Sequence, residues 1–163
     1  VKDQTTLLRA FQQISQHVDC RLRIIGEDTM NGFLQRCAED LGISRFVTFV
    51  GFVPHETLQQ HYAWAHIMLH SSLYEGQGVV FAEAAASGVL MCGTCVGLLS
   101  DLGNTMAFTV EPGDAEALAR GVLTLLGDSA HFERLRTRAR SWADEHTADW
   151  TATRFAELYH RHL

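Results

Sequence analysis

Residues 71–88 contain the groups of this chain that are best placed to do chemistry. Two glycines, Gly76 and Gly78, are followed by an alanine-rich segment whose composition predicts a helix. A loop of small residues lets backbone N–H groups come close to a ligand. The unpaired donors and the positive dipole end at the start of a helix favour an anion. We therefore expect the backbone N–H groups of Gly76, Gln77 and Gly78 to form an anion-binding turn.

Two carboxylates, Glu75 and Glu83, flank this turn. A carboxylate beside an anion site is suited to accepting hydrogen bonds from hydroxyl groups, which a sugar or a ribose supplies. The neighbours of Glu83 are small or apolar, so its side chain should be partly buried and should need partners. The pair could also be the acid and nucleophile of a glycosidase, although such an enzyme gains nothing from a glycine-rich helix start. The alternative without a functional role is that Glu75 is a solvated loop residue and Glu83 a surface helix residue.

The four cysteines include a Cys-x-x-Cys pair, Cys92 and Cys95. A redox pair of the thioredoxin type needs its first cysteine at the start of a helix, but Cys92 falls in a predicted strand. A zinc site needs about four ligands, and Cys20 and Cys37 lie in other predicted elements. We therefore expect core cysteines and no metal site. The histidines at positions 61, 66 and 70 are likewise expected to be surface or core residues.

The composition is that of a globular protein, with 47% apolar and 20% charged residues in a chain of 163. This length fits one domain with a real core. A net charge of −6 gives no electrostatic footprint for nucleic acid. No apolar run approaches the ~18 residues of a membrane span, and no signal-peptide pattern opens the chain. Reduced cysteines indicate a cytoplasmic protein.

Short apolar runs alternate with helical patterns along the chain. Strands are predicted at 20–25, 46–50, 67–70, 89–92 and 106–110. Helices are predicted at 5–18, with Thr5 or Thr6 as the cap, and at 32–41, 55–65, 114–126, 129–146 and 151–161. Asp114 is the expected cap of the helix at 114–126. Residues 94–104 are expected to form a loop with a short helix.

This alternation predicts an α/β fold: a doubly wound, Rossmann-like parallel sheet flanked by helices. Ligands bind such sheets at the carboxyl ends of the strands. The loops to search are therefore 26–30, 50–54, 71–78 and 93–101. A doubly wound unit usually opens with a strand, whereas this chain opens with a helix, so we expect a first strand to be missing.

With these residues collected, the chain resembles the C-terminal, donor-binding half of a GT-B-fold glycosyltransferase of the large retaining family 4. That family has the motif Ser-x-x-Glu-Gly-x-Gly-x-x-x-x-Glu-Ala-x-Ala-x-Gly, which runs here from Ser72 to Gly88. Further matches occur in the same order along nearly the whole chain. They are Leu22 to Gly26, Phe49 to Pro54, Tyr62-x-x-Ala65, Thr94 to Gly97, and a closing helix from Trp150 to Tyr159.

The resemblance implies a role for each matching residue. Glu83 would bind the ribose hydroxyls of a nucleotide-sugar donor, and Glu75 would hold the donor sugar. Lys2 would pair with the diphosphate as a point charge, which makes Glu75 and Lys2 the expected catalytic residues. The expected donor-binding residues are Gly26, Gly51, Phe52, Gly76, Gln77, Gly78, Glu83, Thr94 and Gly97.

The resemblance also implies what lies outside residues 1–163, which we interpret as a single nucleotide-sugar-binding domain. A diphosphate-binding arginine, the first strand and an N-terminal domain with the acceptor site would precede Val1. Leu98 replaces the second glycine of the family's Gly-Gly pair, so we expect the conformation of that loop to differ from the family's. The parent protein would be an enzyme that needs no cofactor, and this chain alone would be inactive.

Alternatives remain open from the sequence. The parent could be a GT-B-fold sugar-nucleotide epimerase or phosphorylase, or the chain could be a non-catalytic nucleotide-binding or interaction module. Association with a membrane would be peripheral and would come only through the missing half.

Overall fold

The computed structural model describes residues 2–76 and 78–162 as helices packed on parallel strands. The strands are β1 (Leu22–Ile25), β2 (Val47–Gly51), β3 (Ile67–His70), β4 (Leu90–Thr94) and β5 (Phe108–Val110). The helices are α1 (Gln4–Ser15), α2 (Phe33–Asp40), α3 (His55–Trp64), α4 (Val79–Ala86), α5 (Leu98–Leu102), α6 (Ala115–Gly127), α7 (Ser129–Glu145) and α8 (Ala148–His162), with a 3₁₀ turn at Ser44–Phe46. None of the described helices is both long enough and apolar enough to cross a membrane.

The element boundaries differ from the predicted ones in a few places. Helix α1 is capped by Asp3, whose carboxylate accepts from the backbone N–H of Thr6 at 3.4 Å, so the prediction of Thr5 or Thr6 as the cap was wrong. Strand β4 continues to Thr94 because that residue pairs with Val110 of β5. Thr94 is therefore a buried strand residue and not part of the loop.

Strand β4 is the centre of a three-stranded parallel sheet in the order β3-β4-β5. Its side chains alternate between two cores, as a strand covered on both faces requires. Leu90 and Cys92 pack with α1 and α6, whereas Met91 packs with Phe81 of α4 and Ala139 of α7. This arrangement buries the β4 backbone and sets its carboxyl end beside the loop that begins at Ser71.

Strands β1 and β2 form a second parallel sheet. Helix α1 packs on both sheets, because Ala10 and Ile14 join the core under β4 while Leu8 and Phe11 join the core under β1 and β2. The α/β class with parallel strands and flanking helices is confirmed.

The strands do not form one continuous sheet, however. In the part of the chain that the structure describes, β1 and β3 face each other without pairing. Two cavities, of about 590 and 500 Å³, lie between them.

Candidate active site at the carboxyl ends of the strands

Glu75 is held by three donors at the loop that follows β3. Its Oε1 atom accepts from the ammonium of Lys2, from Ser72 Oγ at 2.8 Å and from His70 Nε2 at 3.3 Å. The hydrogen bond from Lys2, with those from Ser72 and His70, lowers the pKa of Glu75 to about 2. No donor among the described residues reaches Oε2. The carboxylate is therefore ionised and oriented, with one oxygen free.

The loop that carries Glu75 is anchored by hydroxyl groups. Ser71 Oγ donates to the carbonyl oxygen of Lys2 at 2.8 Å, and Thr94 Oγ1 donates to that of Ser72 at 2.6 Å. Both hydroxyls are buried, so the bonds are protected from water. The chain start at Lys2, the end of β3 and the end of β4 are thereby fixed relative to one another.

His70 ends β3 and is 7% exposed. Gly93 lies opposite it in β4, and a Cβ atom there would stand 2.5 Å from the His70 carbonyl oxygen, so only glycine fits. Burial lowers the pKa of His70 and favours the neutral ring. With Nε2–H directed at Glu75, the buried Nδ1 atom is an acceptor that no described residue satisfies.

Glu83 lies on α4 and is oriented from α3. Tyr62 Oη donates to Glu83 Oε2 at 2.8 Å, while His55 Nε2 lies 3.8 Å from Oε1. Burial and the bond to the carboxylate raise the pKa of Tyr62, so the phenol keeps its proton. Glu83 is thus a partly buried carboxylate, as its apolar neighbours predicted. One of its oxygens is hydrogen-bonded by Tyr62, and no described residue hydrogen-bonds the other.

Among the described residues, no side chain caps the start of α4. Gly78 takes the N-cap position with φ of 75°, a conformation natural to glycine, and offers no acceptor to the first N–H groups. Asp114 and Asp128, by contrast, cap α6 and α7 with their carboxylates. The first turn of α4 can therefore donate to an anion.

The other predicted residues lie at neighbouring strand ends. Gly26 N donates to the carbonyl oxygen of Gly51 at 2.9 Å, and Phe52 is 70% exposed. Gly97 is the N-cap of α5, with φ of 55°. A Cβ atom on Gly78 would lie 3.9 Å from the backbone nitrogen of Leu98, so the α4 and α5 starts adjoin.

The larger cavity gathers part of the predicted set. Lys2, Gly26 and Glu83 line it, with His70 and Ser72 between them. Glu75 joins this group through its bonds to Lys2, His70 and Ser72. Gly51, Phe52, Gly76, Gly78, Thr94 and Gly97 are not among its lining residues. The hydroxyl of Thr94 is used within the fold, and Gln77 lies outside the described residues.

Two residues that orient the carboxylates were not predicted from the sequence. His70 was expected to be an ordinary surface or core residue, and Tyr62 was noted only as a motif match. Tyr62 stands seven residues after His55, which places both on one face of α3. That spacing, beside an expected buried glutamate, is the signal that could have found Tyr62.

Residues 1–128 match the family described as Glycosyl transferases group 1. The chain belongs to this family. The chain is 32% identical over 152 residues to the GDP-mannose-dependent alpha-(1-6)-phosphatidylinositol monomannoside mannosyltransferase of Mycolicibacterium smegmatis. The match covers 87% of this chain and 40% of that relative.

Solved structures show the same fold. Anabaena Alr3699/HepE in complex with UDP gives a TM-score of 0.86 at 21% identity over 99% of this chain and 46% of that one. Sucrose-phosphate synthase of Thermosynechococcus elongatus gives a TM-score of 0.85 at 26% identity, over 98% of this chain and 42% of that one. The chain therefore spans less than half the length of these relatives.

Proposed function

We propose that this chain is the donor-binding domain of a retaining glycosyltransferase of family 4, and that it binds a nucleotide-diphosphate sugar. One observation carries the proposal. Glu75 precedes and Glu83 follows the start of α4, which no described side chain caps, and each carboxylate has one oxygen hydrogen-bonded within the fold and one that no described residue hydrogen-bonds. This arrangement suits a ligand with an anionic centre and a hydroxyl-bearing ring on each side.

The ligand would be divided among the site residues as follows. The N–H groups of Gly76, Gln77 and Gly78 at the start of α4 take the phosphates. Glu83 accepts from the ribose hydroxyls, and Glu75 accepts from those of the donor sugar. The base lies along the strand-end residues Gly26, Gly51 and Phe52, and residues 95–97, which follow Thr94 at the end of β4, close the opposite side.

Catalysis rests on charge stabilisation of the departing diphosphate. Lys2, already at the site through its pair with Glu75, supplies a positive charge, and the helix start supplies N–H donors. The scheme uses no cofactor and no metal. Because an acceptor must approach from the opposite wall of the cleft, we expect this chain alone to bind donor and to transfer nothing.

We also propose that residues before Val1 supply a first strand and an N-terminal acceptor-binding domain. The open gap between β1 and β3 supports the strand, and the 40% coverage of the mannosyltransferase relative supports the domain. Any membrane association would come through that domain. Four free cysteines fit the cytoplasm as the compartment.

Calorimetric titration with UDP-glucose, GDP-mannose and ADP-glucose tests the donor site. We expect one of them to bind, and the Glu83→Ala variant to bind about 10-fold more weakly or worse, since a hydrogen bond to a charged group is worth roughly 1.5–3 kcal/mol. Glu145→Ala, an exposed position on α7, is the matched control and should bind as wild type.

Other outcomes favour other functions. Binding of none of the three at millimolar concentration would favour a non-catalytic interaction module. Products formed by the whole protein from donor without acceptor would indicate an epimerase or a phosphorylase. Sugar transfer by this chain alone would contradict its assignment as a donor-binding half.

A further inference from the structure

Tyr62 and Glu83 form the best-defined contact at the candidate site. They lie on different helices, 21 residues apart, with 2.8 Å between Tyr62 Oη and Glu83 Oε2. A phenol has one O–H donor, and here that O–H donates its hydrogen bond to the carboxylate. His55, at 3.8 Å from the other oxygen, is too far away to hydrogen-bond. One carboxylate oxygen of Glu83 is therefore committed to the fold and the other is open to a ligand.

The ring of Tyr62 packs against the core that contains Phe81 and Ala84 of α4. A separate contact holds the end of α3, the helix that carries Tyr62. Two residues on in the same helix, the Trp64 ring carries the guanidinium of Arg23 from β1 at 3.9 Å. An aromatic side chain fixed in this way has little rotamer freedom, whereas a partly exposed glutamate has much.

We infer that Tyr62 is a positioning residue for the ribose: it orients the Glu83 carboxylate so that the free oxygen meets the ribose hydroxyls. This rests on the proposed role of Glu83 in donor binding. Because the Tyr62 bond is present before the ligand arrives, the ligand does not bear the cost of ordering the glutamate side chain. Tyr62 thereby sets how strongly the site distinguishes a ribonucleotide from a nucleotide that lacks the ribose hydroxyls.

A purely structural role for Tyr62 leads to a different result. If the bond only joined α3 to α4, its loss would weaken both kinds of nucleotide equally through a looser site. If the bond orients Glu83, its loss weakens only the ligand that has hydroxyls to offer. The ratio of the two affinities separates these roles, because it removes any effect common to both ligands.

The experiment measures that ratio in the whole protein that contains this chain. The probes are UDP, GDP and ADP, each compared with its 2′,3′-dideoxy counterpart by calorimetry. For the nucleotide that binds, we expect wild type to prefer the ribose form by about 10- to 100-fold, the range of hydrogen bonds to a charged group. In Tyr62→Phe that preference should fall about 3- to 10-fold, with the dideoxy affinity unchanged.

A control variant and a double variant complete the experiment. Tyr159→Phe removes the same hydroxyl from an exposed position on α8 and should leave the preference as in wild type. Tyr62→Phe added to Glu83→Ala should change nothing more, because the carboxylate it orients is gone. An equal loss for both ligands, or an undiminished ribose preference in Tyr62→Phe, would overturn the inference. A wild type that binds none of the three nucleotides would overturn the proposed function and this assignment with it.

Discussion

Glu75 illustrates how a carboxylate can be held by the fold and still be offered to a ligand. Three donors meet at Oε1, and they come from the chain start, the end of β3 and the loop itself. The carboxylate is 16% exposed, so water competes little for these bonds. Its orientation therefore depends on the fold, and the lowering of its pKa depends most on Lys2.

Replacing Glu75 by Gln should destabilise the protein in a pH-dependent way. Because the folded pKa of about 2 lies below the ordinary value of 4.5, the charged form stabilises the fold above pH 4.5, and this contribution is lost as pH falls towards 2. We expect Glu75→Gln to lose on the order of 1 kcal/mol at pH 7 and less at pH 3. Urea unfolding of both proteins at the two pH values measures the difference.

Glu116→Gln is the control for that measurement, because Glu116 pairs with Arg120 on the exposed surface of α6. Exposed pairs contribute little, so its unfolding free energy should stay near that of wild type at both pH values. A destabilisation of Glu75→Gln that is the same at pH 3 as at pH 7 would contradict the role given to its charge.

At this scale the carboxylates, the glycines and Lys2 were named as site residues from the sequence, whereas Tyr62 and His70, which contact the carboxylates, were not. Glu75, Gly78 and Glu83 follow from local spacing around a strand-to-helix turn. Tyr62 and His70 do not, because each acts through a contact made by the packing of α3 or the end of β3. A side-chain hydrogen bond between residues 21 apart leaves no periodic pattern in the sequence.

Helix α6 shows how closely an element can approach its neighbour. Gly121 faces β5, and a Cβ atom there would stand 1.9 Å from the Phe108 ring. The glycine therefore lets α6 lie against the sheet and complete the core that contains Leu118 and Val122. Helix propensity alone would favour alanine at this position by roughly 1 kcal/mol.

Gly121→Ala should nevertheless destabilise the protein, by about 1–3 kcal/mol, because the added methyl group forces α6 away from Phe108. Gly127→Ala, in the last position of the same helix, meets no atom within 4 Å and should be neutral or slightly stabilising. The urea concentration at the midpoint of unfolding, measured for both variants and wild type, tests these two expectations. A stable Gly121→Ala would show that α6 does not pack as closely as described.

Elements were predictable where a local signal marks them. Asp114 was predicted to cap α6 and does so, accepting from the N–H of Ala117 at 2.8 Å. Asp3 was missed because its φ of 41° is unusual for a residue other than glycine, and the following threonines look like better caps. The end of β4 was missed because Gly93 and Thr94 resemble a loop, although pairing with β3 and β5 keeps them extended.

The two sheets of the molecule are joined by helix α1 across the gap between β1 and β3. The sequence suggested a missing first strand, since the chain opens with α1, but no local pattern predicted that the remaining strands would separate into two sheets. That split arises from the edges of β1 and β3, which face each other unpaired in the described chain. Helix α1 bridges the gap through Leu8 and Ile14.

The gap has the features of a strand site. One cavity opens towards Tyr62, Met68 and Val80, and the other towards Phe11 and Val122, so the space extends to both faces of the sheet. A strand placed there would alternate its side chains between the two cavities and would be apolar throughout. Lys2 sits at the carboxyl end of this gap, bound by Ser71, where a parallel strand would hand the chain on to α1.

Extending the chain upstream by about ten of its native residues, enough for one strand of typical length and a turn, should therefore join the two sheets. Hydrogen exchange should slow at the gap-facing amides of both β1 and β3, while the outer edge of β5 stays as in the unextended chain. Protection of one strand alone, or of neither, would contradict the proposed first strand. So would an unextended chain that dimerises in sedimentation experiments with both edges already protected, since a second copy would then fill the gap.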